Sequence, residues 1–128
     1  HVIDFYKSLR INKKSLKVFG DGNQKKSYLY VQDCIEAIFL ALKKTNNKIN
    51  IFNLGTNEYC KVKDSIKWIC NELDLKPKLD YKGGKRGWIG DNPFIFLDTR
   101  KIRSLGWKPK LTIKASVVKT LKYLQNNI

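Results

Sequence analysis

Gly83-Gly84-Lys85-Arg86-Gly87-Trp88-Ile89-Gly90-Asp91-Asn92-Pro93-Phe94-Ile95-Phe96-Leu97-Asp98-Thr99-Arg100-Lys101-Ile102-Arg103-Ser104-Leu105-Gly106-Trp107 is the stretch around which the chain is organised. It opens with a glycine-flanked basic loop, where backbone amides and one arginine can approach an anion closely. Gly90 to Pro93 is a turn-forming cluster. The apolar run Phe94 to Leu97 predicts a short anchoring strand. Asp98 predicts a helix N-cap, and Gly106 the residue just past that helix's end. On local chemistry alone, a surface loop with a solvated arginine is the plainer reading of residues 83–87.

Working outward, Val2 to Arg10 has amphipathic helical spacing, with Ile3, Tyr6 and Leu9 on one face. Leu16 to Phe19 predicts a strand, Gly20 to Asn23 a turn, and Ser27 to Val31 a second strand. Gln32 to Lys44 predicts a helix, with Asp33 and Glu36 at capping-box spacing. Its apolar residues run almost all round, so it needs cover on more than one side. Asn50 to Leu54 predicts a strand and Lys61 to Leu73 a helix with Val62, Ile66, Ile69 and Leu73 as its stripe. The last helix is capped by Thr112, with Ile113, Val117, Leu121 and Leu124 facing inward.

The 128 residues suffice for one domain with a core, and 42% hydrophobic content marks a globular chain. The chain contains no methionine, which suggests a piece of something longer. Three well-separated cysteines, Cys34, Cys60 and Cys70, argue against a disulfide framework or a zinc site. Cys34 and Cys70 fall on predicted helix faces, as buried free thiols would, which favours a reducing, cytoplasmic compartment. No apolar run reaches membrane-spanning length.

The net charge of +15 raises a second reading, a basic nucleic-acid-binding module. Only four of the 26 basic residues are arginine, however, and the lysines are scattered through every segment. Base readout leans on arginine forks. A compositional preference for Lys and Asn explains the excess more simply.

Gly20-Asp21-Gly22 fails as a dinucleotide fingerprint, because Lys25 stands where a third glycine belongs and a strand follows. Tyr59/Lys63 and Tyr81/Lys85 have Tyr-x-x-x-Lys spacing without sharing a helix face. His1 has no partner in the sequence pattern, and no metal cluster or nucleophile–base pair stands out.

Three phrases then belong together: Val18-Phe19-Gly20-Asp21-Gly22-Asn23-Gln24-Lys25-Lys26-Ser27-Tyr28-Leu29-Tyr30-Val31-Gln32-Asp33; Phe52-Asn53-Leu54-Gly55-Thr56; and Gly90-Asp91-Asn92-Pro93 with Leu105-Gly106-Trp107-Lys108-Pro109. In this order and spacing they resemble the C-terminal portion of NAD-dependent nucleotide-sugar epimerases and dehydratases, the extended short-chain dehydrogenase/reductases typified by UDP-glucose 4-epimerase. The resemblance implies an α/β fragment of an extended Rossmann-type epimerase, with short strands, about five helices and an incomplete sheet. Residues 1–128 would form the nucleotide-sugar-binding portion, and 32–54 would belong to the edge of a Rossmann domain preceding this chain. It implies that NAD and the catalytic Tyr and Lys reside in that preceding domain, with no cofactor on this chain. It also implies a homodimeric parent that oxidises a sugar carbon transiently, then epimerises or loses water.

By position, the resemblance puts Phe19 beside the nucleobase and Tyr28 at the aromatic position that follows the phosphate contact. Lys26 stands where the family usually has an arginine reaching ribose or diphosphate. Arg86 resembles the diphosphate-binding arginine and Asp91 the acid that binds ribose hydroxyls. Many members place that arginine three residues before the aspartate, where this chain has Trp88.

Overall fold

The computed structural model describes residues 1–87 and 90–128. The described elements run α1 (Val2–Ile11), β1 (Ser15–Val18), β2 (Lys25–Lys26), α2 (Val31–Lys44), β3 (Cys60–Lys61), α3 (Val62–Glu72), β4 (Lys78–Tyr81), α4 (Arg100–Ser104) and α5 (Ile113–Asn127). β1 pairs in parallel with β4, Leu16 opposite Leu79 and Val18 opposite Tyr81. β2 pairs antiparallel with β3, Lys26 opposite Cys60. The architecture is the α/β arrangement of short strands and five helices expected above.

Two cores hold these elements. The first joins α1, β1, α3 and α5 through Leu9, Leu16, Val18, Ile66, Ile69, Ile113 and Leu121, all nearly inaccessible to water. The predicted stripes of α3 and α5 supply most of it. Thr112 caps α5 as expected, its Oγ1 accepting from the Ala115 N–H at 3.2 Å. The second core is smaller: Ala37 of α2, Ile102 of α4 and Trp107, flanked by Leu40, Ala41, Phe52 and Leu54.

Several sequence expectations need correction. Asn50 to Leu54 forms no ladder among the described residues. Its side chains alternate as in a strand, with Phe52 and Leu54 half-buried and Ile51 exposed. Its contacts are isolated ones, the Lys101 ammonium on the Ile51 carbonyl at 2.7 Å and the Asn53 amide on the Asp98 carbonyl at 3.4 Å. A strand requires a neighbouring backbone, and none lies alongside among the described residues. Phe94 to Leu97 also lacks regular structure, and all four side chains are exposed. Phe94 packs edge-on against Tyr59 and stacks with Phe96 instead.

Ser27 to Val31 is not a strand. Pairing with β3 stops at Lys26, and the Ser27 hydroxyl donates to the Glu58 carbonyl at 2.9 Å. Asp33 does not cap α2. It lies inside the helix, buried, where its carboxylate accepts from the Leu111 N–H and its carbonyl from the Trp107 indole N–H at 3.0 Å. The cap position of α4 is Thr99; Asp98, one residue earlier, accepts from the Arg100 N–H at 2.9 Å. Ile3 sits at the exposed edge of the α1 stripe, whereas Tyr6 and Leu9 are buried. Cys60 and Cys70 are buried free thiols, but Cys34 is only half-buried. Gly106 behaves as expected, leaving α4 at φ +95°.

Candidate nucleotide-binding site

The site begins with the alternation of β1. Leu16 and Val18 point into the first core, so Lys17 and then Phe19 point the other way, toward a cavity. Lys17 Nζ lies 5.1 Å from the centre of the Phe19 ring. The chain then reverses through Gly20 and Gly22, at φ +78° and +75°. At that φ a side chain on Gly20 is strained, and its Cβ would also press on the Arg86 carbonyl at 3.0 Å, so the tight turn favours glycine there. Gln24 Nε2 donates back to the Phe19 carbonyl at 3.0 Å and fixes the turn.

This reversal feeds β2, where pairing with β3 turns Lys25 and Lys26 to opposite faces. Lys25 stands over the Tyr59 ring at 4.6 Å. Lys26 points inward and forms an ion pair with Asp91, Nζ to Oδ1 2.5 Å, while also donating to the Asn92 carbonyl at 3.0 Å. The other Asp91 oxygen accepts from the Gly87 N–H at 3.1 Å. Residues 65 positions apart are thus locked together, and the glycine-rich loop is drawn over the end of β1. Burial acts to raise the Asp91 pKa, but the Lys26 ammonium, the Gly87 N–H and the Arg86 charge outweigh it and hold the carboxyl below its usual range.

Phe19, Lys26, Tyr28 and Asp91 all line one cavity of about 500 Å³, together with His1, Phe5, Gln24 and Gly87. A second cavity of about 380 Å³ adjoins it, lined by Lys25, Ser27, Asn92 and Pro93. His1, Lys26, Tyr28 and Asp91 line both. Arg86 is exposed and outside both linings, although its charge reaches Asp91. Trp88, which takes the family's usual arginine position, lies outside the described residues. Burial, with smaller contributions from Cys60 and Asp91, pushes the Tyr28 hydroxyl well above its ordinary pKa, so it stays a neutral donor. Burial, reinforced by Asp64 and Glu58, pushes the Cys60 thiol to about 11, which leaves it unreactive at neutral pH.

His1 is a correction to the sequence reading. Its Nε2 lies 2.7 Å from the Ser65 hydroxyl, and its ring stacks on Tyr28 at 4.5 Å and 12°. Ser65 is 64 residues away, so no local signal could have revealed the pairing. Gln24 was legible only as part of a turn.

The Gly20–Gly22 turn leads into a strand. It therefore offers no helix N-terminus to a dinucleotide pyrophosphate, and the residues present here do not fit NAD at this point.

Comparison with known proteins agrees with this architecture. The model of the "NAD dependent epimerase/dehydratase family" matches residues 1–55. A Methanocaldococcus jannaschii protein provisionally named UDP-glucose 4-epimerase is 31% identical over 98% of this chain and 39% of its own length. dTDP-glucose 4,6-dehydratase 1 of Escherichia coli is 31% identical over 89% of this chain and 33% of its own. A crystal structure of a UDP-galactose 4-epimerase superposes with TM-score 0.83 at 30% identity, covering 99% of this chain and 40% of that one. The UDP-glucose 4-epimerase of Thermotoga maritima, solved with UDP-glucose, gives TM-score 0.81 at 27% identity over 98% of this chain and 40% of that one. The chain thus spans about two fifths of the length of such relatives. In fold and in sequence, the chain matches the C-terminal part of the extended Rossmann-type members of the NAD-dependent epimerase/dehydratase family.

Proposed function

We propose that this chain is the part of an NAD-dependent nucleotide-sugar epimerase or dehydratase that grips the nucleoside diphosphate of its substrate. The observation that carries this reading is the convergence of Phe19, Lys26, Tyr28 and Asp91 on one cavity. An aromatic face suits a nucleobase, an ammonium suits a diphosphate, and a carboxylate suits a ribose diol. The UDP-glucose named in the Thermotoga maritima structure makes a uridine nucleotide the first ligand to test. Arg86, exposed at the loop tip, reaches the diphosphate from the solvent side in this reading.

Hydride transfer by NAD is the chemistry of the whole enzyme and belongs to a companion Rossmann part. Residues 32–54, around the second core, form the seat for that part. What this chain does is hold the nucleotide end and so fix the sugar's position. The parent as a homodimer is part of the same proposal.

The test is calorimetric titration of UDP-glucose into the chain and into Lys26→Ala. Loss of a charge-assisted contact weakens binding by about 1.5–3 kcal/mol. Unchanged affinity in the variant would overturn the assignment. Tight, steeply salt-dependent binding of DNA, without binding of UDP-glucose, would favour a nucleic-acid module instead.

A further inference from the structure

Four side chains line both cavities, and three of them already have roles. The fourth is His1, which lines both. Its tautomer follows from its surroundings. The Ser65 hydroxyl donates its single hydrogen to the Val62 carbonyl at 2.9 Å. Ser65 Oγ must then accept from His1, so Nε2 carries the proton. The Tyr28 stack and the edge of Phe5, at 5.4 Å, fix the ring plane. Nδ1 is left as the uncommitted valence, and it makes no hydrogen bond among the described residues.

We infer that His1 is a further substrate-contacting residue, whose Nδ1 meets the ribose–diphosphate segment of the bound nucleotide and makes its affinity pH-dependent. This rests on the reading of the site given above. As neutral imidazole, Nδ1 is an acceptor suited to a ribose hydroxyl. As imidazolium it becomes a cationic donor suited to a diphosphate. Bound diphosphate favours the charged ring and raises its pKa. The added affinity is therefore present at low pH and lost as pH rises through that value. The charged or titratable groups that line the two cavities with His1 are Asp4 of α1, Lys17 of β1, Lys25 and Lys26 of β2, Tyr28, and Asp91 of the loop. Asp91, with its lowered pKa, stays ionised across the range in which imidazole titrates.

The experiment titrates UDP-glucose, whose diphosphate diester has no group titrating near neutrality, at about pH 5.5 and about pH 8. The chain's amino group is blocked by acetylation so that it does not titrate. The chain is compared with His1→Gln, with His1→Phe, which keeps the aromatic stack, and with Asp4→Asn. Thermal unfolding of each variant checks that the fold is retained. Expected is affinity about tenfold tighter at the lower pH for the chain and for Asp4→Asn. Both His1 variants should stay at the weaker value throughout. Binding that is flat with pH in the chain, or a slope that survives in His1→Gln, overturns the inference while leaving the site intact. Absence of UDP-glucose binding at either pH overturns the reading of the site and this inference with it.

Discussion

The two cores of this chain end in opposite states. In the first, Ile69 and Leu121 are fully inaccessible, because α1, α3, α5 and β1 enclose each other from every side. In the second, Ala37 and Ile102 are equally inaccessible, yet Phe39 and Leu42 on the same α2 helix are 67% and 71% exposed. Ile35, Ile38 and Ile51 also face solvent. An apolar groove of about 250 Å³ opens between α2, Phe52 and Leu54. A helix with one apolar stripe can bury it against neighbours on one side, whereas apolar residues spread around α2 leave a face in water that its neighbours in this chain do not cover. The cavity proposed to take the nucleotide, lined by Phe19, Lys26, Tyr28 and Asp91, sits on the closed core.

The largest expected effect tests whether the first core carries the stability. Leu121→Ala should cost about 2–5 kcal/mol in chemical denaturation, and Ile102→Ala should fall at the low end of that range, because the open neighbours of Ile102 can collapse into the space. If Ile102→Ala is the more damaging, the ranking of the two cores is reversed. Next in size is self-association. The chain should form concentration-dependent oligomers in sedimentation velocity despite its net charge of +15, and Phe39→Ser with Leu42→Ser should return it to monomer. Unfolding free energy should change by less than about 0.5 kcal/mol, as for other surface substitutions. Monomeric behaviour before the substitutions would mean that the open face is tolerated as it stands.

The smallest effect concerns the Lys26–Asp91 clasp that ties the glycine-rich loop to the first core. The Asp91 carboxyl has a pKa below its unfolded value, so its contribution is complete above the ordinary carboxylate range and fades as pH falls through the lowered value. Amide exchange at Gly87, which donates to Asp91, should lose protection in acid relative to amides of α5. Asp91→Asn should show that loss already at neutral pH. Equal protection of Gly87 across this range would show that the clasp does not hold the loop.

The sequence by itself determined the helices, because 3.6-residue periodicity and local caps are written into short windows: Val62, Ile66 and Ile69 of α3, and Thr112 with Ile113, Val117, Leu121 and Leu124 of α5, all lie as expected. It also determined the turn at Gly20–Gly22 and, through three spaced phrases, the resemblance to the epimerase/dehydratase family. Only the tertiary structure decided what each apolar run would become. Asn50–Leu54 and Phe94–Leu97 have strand composition but no neighbouring backbone among the described residues, and a ladder cannot form from one side. Asp33 has the composition of a cap, yet it lies inside α2 with a backbone donor from Leu111. The site likewise depended on contacts that no short window contains: Lys26 to Asp91 across 65 positions and His1 to Ser65 across 64. Local propensity acts over a few residues, whereas charge pairing and hydrogen bonding act between whatever the fold brings within about 3 Å.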